Sequence, residues 1–160
     1  MLFRSLGELP LTIRPRVRIG KTVPSFDAKT ADGKTVRLSD FKGKPVLLHF
    51  WGMSLGFSSY DIQMLKELQT THADAGRLVI LGCNLDQESN VKNAQDYAKT
   101  QGMTWTQTYL GHWDDSPVGG MFGINGNTAC VLIDAEGKLA SGQMRGSNIR
   151  SGVANLLPAE

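Results

Sequence analysis

The side chains best suited to covalent chemistry in this chain are the thiols of Cys83 and Cys130. A thiolate can attack a disulfide or bind a metal, but these uses need a second thiol or a histidine close by. Neither cysteine lies near the other, or near a histidine at the spacing of metal ligands, so we predict no metal site and no cofactor. Both lie in apolar runs that are typical of strands. We therefore expect buried free thiols, with a redox role for either one as the alternative.

A third candidate nucleophile is Ser54, in the segment Gly-Met-Ser-Leu-Gly. Such a G-x-S-x-G segment between a strand and a helix is typical of serine hydrolases, which also need an acid and a histidine later in the chain. His112 could be that histidine, with Asp86 or Asp96 as the acid. Too few residues precede the segment to build the first strands of a hydrolase sheet. The favoured interpretation is that the glycines serve the loop backbone and that Ser54 or Ser58 caps the next helix.

Strands and helices that alternate along the chain would position these side chains. The dense apolar run at 46–51 is typical of a central strand with helices on both faces. Apolar residues recur at helical spacing between 57 and 72, and a second buried strand is predicted at 77–85. The later predicted elements are a helix at 89–99, a strand at 105–110, a hairpin at 129–145 and a helix at 148–156. This order predicts an α/β fold with a central mixed sheet flanked by helices.

The composition predicts one globular domain without a membrane span. The chain has 160 residues, of which 41% are hydrophobic and 20% charged, and these are ordinary values for such a domain. No apolar run approaches the roughly 20 residues that a membrane helix needs. The N-terminal sequence does not have the pattern of a signal peptide.

Positive charge is concentrated near the N-terminus. We assign residues 1–20 to a basic lead-in arm or linker and residues 21–160 to the domain. The basic residues here are Arg4, Arg14, Arg16, Arg18 and Lys21. They are not interleaved with aromatic residues, so we do not expect nucleic-acid binding. The arm is either simply solvated or a basic strap that binds an acidic partner or another domain.

Five segments occur together in an order and at a spacing that a known superfamily shares. They are GKTVPSF at 20–26, DGKTVRLSDFKGK at 32–44, VLLHFW at 46–51, YDIQMLKEL at 60–68, and FGI with LIDAEGK between 122 and 138. On these segments, residues from about 20 to 157 resemble the thioredoxin-like superfamily. The branch they are most similar to contains the TlpA/ResA-type and alkyl-hydroperoxide-reductase/thiol-specific-antioxidant proteins. The resemblance implies a thioredoxin-like fold and, because most of this branch is extracytoplasmic, a periplasmic or other extracytoplasmic location.

The residues that carry the chemistry of this branch are replaced here. In the register of the resemblance, the Cys-x-x-Cys motif falls on Leu55, Gly56, Phe57 and Ser58. A leucine cannot attack a disulfide, and a serine hydroxyl cannot replace a thiolate in redox exchange. The cis-proline of the family falls near Thr128, where we expect a trans peptide bond because a cis bond before other residues costs about 3–4 kcal/mol.

His49 takes the strand position where thioredoxins often keep a buried acid that moves protons for the dithiol. We expect it to lie in the core as a neutral, hydrogen-bonded histidine. The resemblance thus implies a vestigial site, made of residues 55–58, Thr128 and His49, that has no dithiol chemistry and no catalytic residue.

Apolar side chains cluster in and around this vestigial site. They are Trp51, Met53, Leu55, Phe57, Tyr60 and Trp113. If the loop that carries them is exposed, they would form a surface for a protein partner. The alternative is that the lead-in arm or the Trp113 loop buries them.

Three functions follow, in order of preference. The first is a redox-inactive thioredoxin-like domain that binds a protein or supports a larger assembly and is not an enzyme. The second is a thiol-disulfide oxidoreductase or peroxidase-like protein that uses Cys83 or Cys130. The third is a serine hydrolase at Ser54.

Overall fold

Strands and helices alternate through residues 15–56 and 58–158, which a computed structural model describes. The strands are β1 (Asp27–Lys29), β2 (Thr35–Arg37), β3 (Val46–Trp51), β4 (Val79–Asn84), β5 (Thr106–Tyr109), β6 (Ala129–Ile133) and β7 (Leu139–Met144). The α-helices are α1 (Ser59–Leu68), α2 (Val91–Thr100), α3 (Pro117–Met121) and α4 (Ser147–Leu156). All strands join one sheet in the order β2-β1-β5-β4-β3-β6-β7. The sheet is mixed, as predicted, because β3 runs parallel to β4 and antiparallel to β6.

Strand β3 is the centre of the fold, and all six of its residues are buried. Its side chains alternate between the two faces of the sheet. Leu47 and Trp51 pack with α1, α2 and α4 in one core cluster. Leu48 and Phe50 pack in the other cluster, which includes residues of α3 and β1. A strand covered on both faces explains the uninterrupted apolar run in the sequence.

The strand directions define where the candidate site lies. Because β3 and β4 are parallel, their carboxyl ends meet at the same edge of the sheet. The turn that leads to α1 follows β3 at this edge, and Asp86 follows β4. Ligand sites of α/β sheets commonly lie at such an edge.

Residues 15–24 lie against the domain and contain a turn at residues 18–21. The Val17 amide donates a hydrogen bond to the Met121 carbonyl (3.0 Å), and the Gly20 amide donates one to the Leu139 carbonyl (2.8 Å). Residues 15–20 of the assigned arm are therefore attached to the domain, whereas residues 1–14 lie outside the described residues. The boundary at residues 20 and 21 stays a prediction. None of the helices in the described ranges is long and apolar enough to cross a bilayer.

Candidate functional site

The turn between β3 and α1 occupies the position where the sequence predicts the vestigial site. Gly52 and Gly56 form an isolated bridge across this turn, and Gly56 has a φ of +80°, which favours glycine. The Ser58 hydroxyl then accepts a hydrogen bond from the Asp61 amide (3.2 Å) and caps α1. The predicted capping role of Ser58 is confirmed. Phe57 lies outside the described residues.

Leu55 does not lie on an exposed surface. It is only 7% exposed and packs in the core cluster that contains Phe50 and Phe122. Trp51 is fully buried on the other face of the sheet. The prediction of an exposed apolar surface is therefore wrong for Leu55 and Trp51, because both side chains complete the core.

Three other members of the predicted surface have different environments. Met53 is 36% exposed and Tyr60 is 53% exposed, with the Tyr60 ring beside Gly146. Trp113 is partly buried and packs against the same cluster as Leu55. Leu55 is buried in the cluster against which Trp113 packs. This agrees with the alternative prediction, in which the Trp113 loop buries the apolar side chains. Among the described residues of this turn and of the first turn of α1, Met53 and Tyr60 are the large apolar side chains that a partner could reach.

Asp86 binds the turn from the carboxyl end of β4. Its buried carboxylate accepts hydrogen bonds from the amides of Met53 (2.7 Å) and Ser54 (2.9 Å) and from the Ser54 hydroxyl (3.0 Å). The buried side-chain amide of Asn84 donates a fourth hydrogen bond (2.9 Å). Hydrogen bonds to an ionised acceptor are stronger than neutral ones, so this carboxylate holds the turn in one conformation.

This carboxylate also accounts for the first glycine of the G-x-S-x-G segment. A Cβ atom at Gly52 would lie 3.0 Å from Oδ1 of Asp86, so a larger residue would displace the carboxylate. The Ser54 hydroxyl donates a hydrogen bond directly to the Asp86 carboxylate and not to a histidine. His112 is paired with Asp114 instead. Ser54 is thus a structural residue of the turn in this arrangement, and a hydrolase triad is not assembled.

Thr128 has the backbone geometry that the sequence predicts. No cis peptide bond occurs among residues 15–56 and 58–158, so the bond before Thr128 is trans. The Thr128 carbonyl accepts a hydrogen bond from the Arg145 guanidinium (2.6 Å). The loop before Thr128 also lies close to the Trp113 ring, which would be 3.8 Å from a Cβ atom at Gly126.

The two cysteines are kept apart by β3. In the strand register, Cys83 on β4 lies opposite Phe50 of β3, and Cys130 on β6 lies opposite His49 of β3. Because Phe50 and His49 are neighbours in one strand, the two thiols point to opposite faces of the sheet. Both are free and buried, as predicted. A disulfide between them would have to cross the central strand, which exceeds the reach of the bond.

Neither thiol is activated. Burial raises the pKa of Cys83 to about 12, although a hydrogen bond with Thr108 opposes the shift. Burial also raises the pKa of Cys130 well above its usual value, and the nearby Asp61 carboxylate raises it further. Nucleophilic cysteines have lowered pKa values and partial exposure, and neither condition holds here.

Native protein should therefore resist thiol alkylation. With the pKa near 12, only about one Cys83 in ten thousand is a thiolate at pH 8. We expect N-ethylmaleimide to modify neither cysteine within minutes in buffer and both within minutes in 6 M guanidinium, as measured by intact mass. Rapid labelling of either residue in the native protein would contradict this prediction.

His49 is a buried histidine without a hydrogen bond at one nitrogen. Its ring is stacked on the ring of Trp51 and in an edge contact with the ring of Trp105, with centroid distances of 6.3 and 6.2 Å. Burial lowers its pKa from 6.5 to about 3, so the ring is neutral, as predicted. The predicted hydrogen bond is absent at Nδ1, which has no hydrogen-bond partner among the residues that the structure describes. The apolar surroundings explain both properties.

Asp61 is a buried acid that the sequence analysis did not single out. Its carboxylate accepts a hydrogen bond from the Gly146 amide (2.6 Å) and joins the start of α1 to the segment before α4. In the sequence it resembles an ordinary acid in the first turn of a helix, which the helix dipole favours. Among the described residues, no cluster of three or more histidines, cysteines and acids could hold a metal ion.

The mixed sheet, and a turn that joins its central strand to a capped helix, define a protein of the thioredoxin-like class. A sequence profile of the AhpC/TSA family matches residues 19–141, and the chain belongs to this family. The thiol-disulfide oxidoreductase ResA of Geobacillus thermodenitrificans is 26% identical over 150 residues, which cover 92% of this chain and 83% of that protein.

Solved structures agree with this assignment and with the predicted thioredoxin-like fold. The thioredoxin domain of a thiol-disulfide oxidoreductase from Bacteroides vulgatus superposes with a TM-score of 0.72 at 27% identity, over 87% of this chain and 97% of that one. A thiol-disulfide oxidoreductase from Bacteroides fragilis gives a TM-score of 0.76 at 20% identity, over 86% of this chain and 100% of that one. The second match supports the fold alone.

Proposed function

We propose that this chain is a redox-inactive member of the AhpC/TSA family that acts as a protein-binding or structural domain. The observation that supports this proposal most directly is the separation of its sulfur atoms. The thiols of Cys83 and Cys130 are buried on opposite faces of the sheet, and Leu55 and Ser58 provide no sulfur at the turn. Dithiol exchange needs two thiols within bonding distance of each other.

The turn between β3 and α1 has a fixed backbone, which supports a binding role for it. Asp86 fixes Met53 and Ser54 through their amides, and Leu55 anchors the turn in the core. A fixed turn with exposed Met53 and Tyr60 can form part of a protein contact without paying a large entropy cost. Trp113 lies beside the adjoining loop and would take part in the same contact.

A second candidate function is thiol-disulfide oxidoreduction through Cys83 or Cys130. The names of the relatives favour it, since ResA and the B. vulgatus protein are thiol-disulfide oxidoreductases. A single thiolate could attack a partner's disulfide, form a mixed disulfide and release the partner's other sulfur as a thiolate. This step would require the sheet to open locally and expose the thiol.

An insulin reduction assay with dithiothreitol as the electron donor separates the two functions. We expect the wild-type chain to accelerate insulin precipitation no more than a double variant, Cys83→Ala with Cys130→Ala. The matched positive control is an AhpC/TSA-family protein with an intact Cys-x-x-Cys motif. Turnover by the wild type that is lost in either single cysteine variant would overturn the proposal and support the second function.

An extracytoplasmic location is also proposed. It rests on the resemblance to a branch that is mostly extracytoplasmic. Fractionation of the native host, with detection of the full-length product by antibody, tests it, and recovery in the cytoplasmic fraction alone would contradict it.

A further inference from the structure

A compact group of basic residues lies on the segment that leads into the domain. The basic strip, as we call it, consists of Arg16, Arg18 and Lys21 together with Ile19. Its backbone is fixed: the Val17 amide bonds to the Met121 carbonyl, and the Lys21 carbonyl accepts a hydrogen bond from the Leu139 amide (2.9 Å). The strip is therefore part of the domain surface.

The strip borders a concave surface with a cavity volume of about 500 Å³. Among the described residues that line this cavity, every charged side chain is basic. The described residues that line it are Pro15, Arg16, Val17, Arg18, Lys21, Thr22, Pro24, Pro117 and Met121. The cations thus surround a floor that is largely apolar.

The acids of the described residues do not neutralise these three cations. Within the described ranges, no ion pair within 4.0 Å involves Arg16, Arg18 or Lys21. The Arg16 guanidinium lies close to the backbone of Gly123, where a Cβ atom would be only 3.0 Å from Cζ. Because residue 123 is glycine and has no Cβ atom, the Arg16 guanidinium can lie against its backbone.

The backbone of the strip brings its charges together. The Lys21 amide donates a hydrogen bond to the Arg18 carbonyl (3.0 Å), which closes a turn, and Gly20 within it has a φ of +83°. Ile19, the other central residue of this turn, is 67% exposed. Ile19 therefore presents an apolar side chain next to Arg18 and Lys21, neither of which forms an ion pair with an acid of the described residues.

We propose that the basic strip binds an extended acidic peptide segment of a protein partner, with an apolar residue of the peptide against Ile19 and the apolar floor. The net charge of the lining is complementary to carboxylates, and the concave shape suits a peptide better than a flat lipid surface. This inference rests on the proposed binding function and specifies the chemistry of the partner.

Fluorescence anisotropy of a labelled peptide, Glu-Asp-Leu-Glu-Asp-Leu-Glu, tests the proposal with the full-length chain. We expect saturable binding in 50 mM NaCl that weakens at least tenfold in 300 mM NaCl, because salt screens charges at the surface. The triple variant Arg16→Gln, Arg18→Gln, Lys21→Gln should weaken binding at least tenfold, and Ile19→Ser about threefold.

A matched variant removes three exposed lysines elsewhere, Lys29→Gln, Lys42→Gln and Lys44→Gln, and should bind the peptide as the wild type does. Equal weakening in both triple variants, or no saturable binding by the wild type, would overturn the proposal. The proposal would also be overturned if the chain sedimented with phosphatidylserine-containing vesicles through the basic strip and the peptide did not displace it from them. Circular dichroism checks that each variant is folded. The insulin assay tests the redox-inactive function separately, since activity there would leave the peptide result unchanged.

Discussion

Replacement of His49 by leucine should make the domain markedly more resistant to acid. In the folded chain, burial lowers the pKa of this histidine from 6.5 to about 3, whereas in the unfolded chain it titrates near its ordinary value. Between these two pH values the unfolded state binds one more proton than the folded state. Folding stability therefore falls as the pH falls from about 6.5 to about 3 and is not reduced further by this group at lower pH.

The size of the effect follows from the same two values. A difference of about 3.5 pH units corresponds to about 5 kcal/mol of unfolding free energy at about 1.4 kcal/mol per unit. This is comparable to the whole stability of many single domains, which is about 5–15 kcal/mol. Urea unfolding at several pH values between 7.5 and 3.5 would measure it. We expect the loss of stability toward pH 3.5 to be several kcal/mol smaller in His49→Leu than in the wild type.

A second variant separates titration from polarity. His49→Gln keeps a polar side chain that does not titrate, so it should also remove this part of the acid sensitivity. At pH 7.5 the leucine variant should gain about 1 kcal/mol over the wild type, because Nδ1 of His49 is buried without a partner. Parallel pH profiles for the wild type and both variants would show that His49 is protonated without cost in the folded state.

Much of the fold could be predicted because its determinants are local. The uninterrupted apolar run of β3 predicted a central strand, and all of its residues are buried. Ser58 was a predicted helix cap because a serine just before a helical pattern commonly has this role. The order of helices and strands then left few topologies for a mixed sheet.

The environment of the turn could not be predicted in the same way, because it depends on contacts between distant residues. Leucine at position 55 is compatible with an exposed turn or with a buried one, and only the packing against Phe50 and Phe122 decides between them. Asp86 lies more than 30 residues from the amides that it binds. The sequence predicts that Asp86 follows β4. It does not predict that the Asp86 carboxylate accepts hydrogen bonds from the amides of Met53 and Ser54.

The buried carboxylate of Asp86 and the side chain of Leu55 fix the turn between β3 and α1. The turn is held by hydrogen bonds from the Met53 amide and from the amide and hydroxyl of Ser54, and by Leu55 in the core. Each attachment lowers the cost of keeping Met53 and Tyr60 in a fixed arrangement. The binding function proposed above requires a preformed turn, and these attachments provide one.

Replacement of Asp86 by alanine should release this turn and destabilise the domain by about 3 kcal/mol. The variant removes the acceptor of four hydrogen bonds and leaves the buried amide of Asn84 without this partner. Leaving a buried polar group unpaired costs about 1–3 kcal/mol, and hydrogen bonds to a charged acceptor are worth about 1.5–3 kcal/mol each before solvent compensates for the exposed donors. Urea unfolding at pH 7.5 measures the loss, and hydrogen exchange of the Met53 and Ser54 amides should become faster.

Two variants serve as controls for Asp86→Ala. Ser54→Ala removes only one of the four donors and should cost about 1 kcal/mol. Asp96→Ala removes an exposed acid that forms an ion pair with Lys92 on the helix surface, so it should cost less than about 0.5 kcal/mol. If Asp86→Ala were no more destabilising than Asp96→Ala, or left the exchange of the Met53 and Ser54 amides unchanged, the carboxylate would not be what fixes the turn.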